Sequence, residues 1–168
     1  KVRTASIICV CGENVKDKTT HTCAWTGAGN GIEKVFDIKW QAYSEASGAL
    51  PGASEAGYYY LTKDYALTRS DLKAVSYLDL NGKTVTASNA WNIRIESADA
   101  NYAITDSKGN GTIKLPEGHS FGDSAWGSMI SFQQPGTFTV YGGTIDMSAA
   151  TNGAYAHVDV QKGQFVMY

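Results

Sequence analysis

From Tyr58 onward the chain breaks into short runs in which β-branched or aromatic residues alternate with polar ones, set off by clusters of Asn, Gly, Asp and Ser. A period of two puts every second side chain on one face, the pattern of a half-buried strand. The runs cover residues 60–62, 77–80, 84–86, 93–95, 103–105, 111–113, 129–132, 138–141, 144–147 and 158–160, and almost none exceeds five residues. No helix-length segment separates them, which argues against a doubly wound α/β fold. Upstream, Phe36, Ile38 and Trp40 alternate within 32–43 and predict one more strand.

The runs also repeat. Gly136-Thr-Phe138-Thr-Val-Tyr141 returns as Gly163-Gln-Phe165-Val-Met-Tyr168, 27 residues later (136 to 163), with both aromatic positions superposed. Phe132 corresponds to Val160 in the same scheme with one residue of slippage, and Gly109-Asn-Gly111-Thr-Ile113 has a fainter cousin in Gly142-Gly-Thr144-Ile145. A period of this size marks stacked units, none of which buries its apolar face alone. The alternative is an antiparallel sandwich, which the two-residue turn signals Asn81-Gly82 and Gly142-Gly143 would suit. Glycines and aromatics returning together favour stacking, because hairpins require no such regularity.

Composition adds a boundary and two exclusions. All three cysteines precede Gly48, and the small residues and Pro51-Gly52 of 47–57 read as a linker. The chain is therefore divided into a module at 1–47, a connector at 48–57 and a repeat at 58–168, the last broken off mid-repeat as in a piece of a longer protein. Its 18 glycines and 10 tyrosines suit short strands and tight turns. Fourteen basic against 16 acidic residues leave a net charge of −2, too little positive charge to hold a nucleic-acid backbone. No apolar stretch approaches the ~18 residues of a membrane span, so membrane insertion is not expected either.

Read together, Tyr58-Tyr-Tyr-Leu-Thr62, Leu78-Asp-Leu-Asn-Gly82-Lys-Thr-Val-Thr86, Ala103-Ile-Thr-Asp106, Gly109-Asn-Gly111-Thr-Ile113 and Gly136-Thr-Phe-Thr-Val-Tyr-Gly142-Gly-Thr-Ile145 resemble the right-handed parallel β-helix segments of large surface proteins from gut and rumen Firmicutes. The amino-terminal segment, with Cys9-Val-Cys11-Gly12 and His21-Thr-Cys23, is similar to the short module that often precedes such helices. The resemblance implies an all-β solenoid with a small Cys/His cap and an extracellular, cell-surface location. In that fold Leu78, Leu80, Ile145 and Met147 point into the coil, with Asp79 and Asp146 outward.

Three cysteines cannot all pair within one chain. With His21 added, Cys9, Cys11, His21 and Cys23 supply three thiolates and an imidazole, the closed tetrahedral set of structural zinc. Residues i and i+2 of a strand share a face, so the tight one-residue spacings are compatible with chelation. A disulfide from Cys23 to Cys9 or Cys11, or free thiols, are the other readings. Modules of this kind often carry a histidine before the first cysteine; Ile8 stands there.

Parallel β-helices also host polysaccharide lyases and hydrolases, which need clustered carboxylates or calcium ligands on one wall. Asp79, Asp99, Asp106, Asp123, Asp146, Asp159, His119 and His157 are the available groups, each expected at a solvated turn or outward strand position. Asp106-Ser-Lys-Gly-Asn-Gly111 lacks the spaced acidic ligands of a calcium loop and reads as a plain turn. No nucleophile elbow, metalloprotease helix or phosphate loop occurs. The sequence therefore points to a non-catalytic part of a bacterial surface protein, acting in adhesion to a glycan or host surface protein or in presentation. Trp91, Trp126, Tyr102 and Tyr155 are the candidate aromatic anchors. A polysaccharide-active enzyme and a passive stalk are the alternatives.

Overall fold

Short alternating runs punctuated by glycine and asparagine produce strands and turns, with no helix among the described residues. The computed structural model describes residues 20–25, 32–37, 40–43, 48–88, 92–120, 127–151 and 154–168, with backbone alone for 20–25, 32–37, 40 and 154–155. Sixteen strands occur there, numbered in chain order. β1 (Thr20–Trp25) and β2 (Ile32–Asp37) form an antiparallel pair of their own.

The other strands lie in three parallel sheets. The first holds β3 (Trp40–Tyr43), β4 (Gly57–Leu61), β7 (Val75–Asp79), β10 (Asn101–Thr105), β13 (Thr137–Val140) and β16 (Gln164–Met167). In the second are β5 (Tyr65–Leu67), β8 (Thr84–Ala87), β11 (Thr112–Lys114) and β14 (Thr144–Asp146); in the third, β6 (Ser70–Leu72), β9 (Ile93–Ile95), β12 (Gly127–Phe132) and β15 (Ala154–Val160). From β4 on, the chain visits the three sheets in rotation, and each strand pairs in parallel with the one three places later. Each such circuit is one rung of the stack. The parallel pairing excludes the antiparallel sandwich and agrees with a solenoid.

Register explains the repeat. Phe138 lies opposite Phe165, Phe132 opposite Val160, and Thr112-Ile113 opposite Thr144-Ile145. The spacing is not constant, however: first-sheet partners are 19 residues apart from Gly57 to Ser76, 26 from Val75 to Asn101, 36 from Asn101 to Thr137 and 27 from Thr137 to Gln164. Strands keep their register while the connections take up the difference. Gly136 marks one close approach. A Cβ there would sit 2.5 Å from Ile95 Cγ2 and 2.7 Å from the carbonyl oxygens of Ser97 and Ala100.

Inward side chains from the three sheets make one core in which Leu61, Leu67, Leu78, Val85, Ile93, Ile113, Ile130 and Phe138 are fully buried. Burying each such side chain contributes about 1.5–3 kcal/mol. Like packs over like along the stack: the ring of Phe138 lies between Tyr102 at 6.0 Å and Phe165 at 6.1 Å, both nearly parallel to it. Leu78, Leu80 and Met147 are buried and Ile145 packs against them, as expected of inward positions. The segment 48–57, read from its composition as a connector, is built into this core. Leu50 and Ala53 are buried, and Gly48 and Ala53 accept backbone hydrogen bonds from Thr68, Arg69 and Lys73. The parallel sheet also continues upstream of it, into β3.

Asn81-Gly82 is a primed turn. Asn81 has φ 51° and Gly82 φ 73°, and the Lys83 N–H donates to the Leu80 carbonyl at 2.9 Å. It does not close a hairpin; it turns the chain from β7 in the first sheet to β8 in the second.

Candidate functional site

Alternation along β5, β8, β11 and β14 sends Tyr65, Val85 and Ile113 into the core and leaves their neighbours outside. Because these strands are in register, the outward residues form columns. Thr84, Thr112 and Thr144 make one, and Ala66, Thr86, Lys114 and Asp146 the other. Neighbouring strands are ~4.8 Å apart, so the threonine hydroxyls recur at that interval. Asp64 extends the first column, its Oδ1 accepting the Thr84 N–H at 3.0 Å. Asp64, Tyr65, Ala66, Thr84, Thr86 and Lys114 line a shallow open depression of about 420 Å³ on this face. The Asp146 carboxyl is held below the usual range, first by hydrogen bonding to Ser148, whose N–H donates at 2.8 Å, and further by Lys114 and His157. The face is flat, polar and nearly neutral, suited to hydrogen bonding a ligand laid along the rungs.

A second cluster of polar groups lies at the turn from the first sheet to the second, where the sequence expectation needs correction. Asp79 and Asp106, expected at solvated positions, are 0% and 1% exposed. Asp79 Oδ1 accepts the N–H groups of Asn81 at 2.8 Å and Ser107 at 2.7 Å, and Asp106 accepts those of Gly82 at 2.7 Å and Gly111 at 2.5 Å. The carboxylates thus replace water as acceptors for turn N–H groups that the strand ladders leave unpaired. Asp79 Oδ2 has no hydrogen-bond partner. Burial raises the Asp79 pKa, against the hydrogen bonds to Ser107 and Asn81, and the neighbouring Asp106 adds to the rise. Both carboxyls serve the turn. Asp106-to-Gly111 is therefore a hydrogen-bonded turn, as its sequence indicated.

The remaining sequence candidates are dispersed. Tyr102, expected among exterior anchors, is wholly buried; it faces inward on β10, stacks on Phe138 and donates its hydroxyl to the Pro51 carbonyl at 2.5 Å. Desolvation holds its phenol well above the ordinary range. An aromatic with a polar tip in a run of strands is ambiguous between core and surface, and the inward register decides it here. Trp91 and Trp126 lie outside the described residues, in chain order between β8 and β9 and between β11 and β12. Tyr155 is on β15, where backbone alone is described. In chain order Trp91 and Trp126 precede strands of the third sheet, and Tyr155 lies within one. His21 and Cys23 occupy alternate positions of β1, opposite Phe36 and Lys34; Cys9 and Cys11 lie outside the described residues. Asp99 and His157 are exposed, Asp159 accepts from Gln161 Nε2 at 2.9 Å, and Asp123 lies outside the described residues.

The sheet-two grid was missed from sequence. Its signal was the Thr-apolar-Thr triplet at 84–86 and the Thr-Ile pairs at 112–113 and 144–145. Comparison with protein-family models, with curated proteins and with solved structures finds no significant match.

Proposed function

We propose that this chain is a right-handed parallel β-helix segment of an extracellular bacterial surface protein, acting as a non-catalytic adhesive module that binds a glycan or a host surface protein. The observation that carries the reading is the in-register grid of Thr84, Thr112, Thr144, Thr86 and Lys114 on the second sheet. Such a face presents hydroxyls and one cation at strand spacing on a backbone already fixed by its neighbours. Little conformational freedom is lost when a partner docks, so preorganisation favours recognition. Trp91, Trp126 and Tyr155 are the proposed aromatic anchors. At the amino end, we propose that Cys9, Cys11, His21 and Cys23 hold a structural zinc; the alternate placement of His21 and Cys23 on β1 suits a shared ligand face. A closed four-ligand site has no position for a reacting water, and its contribution is to the folding of a small cap.

The test is a glycan and host-protein array probed with the wild-type chain, Thr112→Lys and Trp126→Ala, alongside a polysaccharide-depolymerisation screen. Retention weakened by about 2 kcal/mol or more in either variant supports the reading. Product release abolished by Asp64→Asn or Asp146→Asn overturns it in favour of an enzyme. No retention and no product release overturns it in favour of a stalk.

A further inference from the structure

Asparagine followed by glycine is the dipeptide most prone to spontaneous deamidation. The glycine nitrogen attacks the asparagine Cγ, its proton and the side-chain amide leave as ammonia, and the resulting succinimide takes up water to give aspartate or isoaspartate. Two of the chain's four Asn-Gly dipeptides, Asn81-Gly82 and Asn110-Gly111, lie at the same turn of successive rungs. The attacking nitrogens of both point at one carboxylate: Gly82 donates to Asp106 Oδ1 at 2.7 Å and Gly111 to Asp106 Oδ2 at 2.5 Å.

The Asn81 side chain is held as well. Asn81 sits at φ 51°, its Nδ2 donates to the Leu61 carbonyl at 2.8 Å, and its Oδ1 accepts from the Ser107 hydroxyl at 3.2 Å. Cyclisation requires that amide to swing onto its own chain, breaking both contacts. Asn110 directs its Oδ1 to within 2.6 Å of the position a Gly82 Cβ would take, toward the preceding rung. Asp106 is itself buried, so water does not compete for its two oxygens.

We infer that Asp106 is a protective residue that suppresses deamidation at Asn81 and Asn110 together, by holding both nucleophilic nitrogens as donors to one buried carboxylate. This goes beyond the adhesive reading and does not depend on it. A charge-assisted hydrogen bond of ordinary strength makes release of each nitrogen about tenfold to a hundredfold rarer. Asp106→Asn keeps the shape but leaves one acceptor oxygen for the N–H groups of Gly82, Lys108 and Gly111, so at least one of the two asparagines is released.

The experiment ages the folded wild type, folded Asp106→Asn and urea-unfolded wild type in mildly alkaline buffer, then quantifies deamidated and isoaspartyl forms of the Asn81 and Asn110 peptides by mass spectrometry. The expected result is near-absence of product at both sites in the folded wild type, and at least about tenfold faster product at one or both in Asp106→Asn. Product in the folded wild type at the unfolded rate overturns the inference, and so does a folded Asp106→Asn that ages like the wild type. Should Asp106→Asn not fold, amide hydrogen exchange in the wild type decides. Gly82 and Gly111 N–H exchanging more slowly than those of the exposed turn residues Gly109 and Gly118 supports the inference, and equal rates overturn it.

Discussion

Replacing Phe138 with alanine probes the stack at its centre. The ring is fully buried and sandwiched between Tyr102 and Phe165 at 6.0 and 6.1 Å. Truncating a buried phenylalanine costs about 3–5 kcal/mol when the surrounding shell does not collapse. Two stacked neighbours place the cost toward the upper half of that range, since each aromatic pair adds about 0.5–1.5 kcal/mol beyond area burial. Phe165 supplies the internal standard. It is half-buried and stacks on Phe138, so Phe165→Ala should cost about 1–2 kcal/mol. Urea titration read by circular dichroism, with the slope compared between variants, gives both numbers. In a thermal scan Phe138→Ala should lower Tm by about 6–20 °C for a chain of this size. A loss below about 1 kcal/mol at Phe138, or equal losses at the two positions, would refute the reasoning, because either outcome removes the ring from the middle of a close-packed column.

Two further predictions concern ionisation and metal. Asp79 has its pKa raised in the folded state, so its contribution is fully present below the unfolded value and is lost as pH rises through the folded value; stability should fall from acidic toward neutral pH, and Asp79→Asn should flatten that slope in urea titrations at several pH values. Protein purified without added metal should carry about one zinc per chain by elemental analysis, and His21→Ala should lower it; under a tenth of an equivalent together with a mass-detected disulfide would refute the zinc cap.

Much of the strand pattern was legible because alternation is local. All ten runs read from 60–160 correspond to strands, and the 27-residue repeat is the β13–β16 register. The strands β5 and β6 escaped notice because Tyr65-Ala-Leu67 and Ser70-Asp-Leu72 contain no β-branched residue, unlike the equally short β9, β11 and β14. A constant period was not to be found, since rungs of 19 to 36 residues share one register. The buried aspartates were misread for a related reason. Asp79 follows Leu78 as an outward residue should, but the unpaired N–H groups of the adjoining turns make a sheltered carboxylate the better acceptor, and that demand arises between rungs and not along the sequence. The Asn-Gly signal was read correctly as a tight turn; only the register of the flanking strands tells a turn between sheets from a hairpin.

The unequal rungs also determine how the chain yields under load. Hydrogen bonds between parallel strands run along the stacking direction, so tension on the chain at one end opens them successively instead of shearing a whole sheet at once. The unit released is then a rung, and its slack is set by sequence: 26, 36 and 27 residues for successive circuits, or about 90–130 Å each when drawn straight. A connection lengthened between strands leaves the packed column unchanged and lets out more thread when that circuit peels. Extensibility and folded stability are thereby encoded in different residues, the first in the loops and the second in the inward-facing side chains.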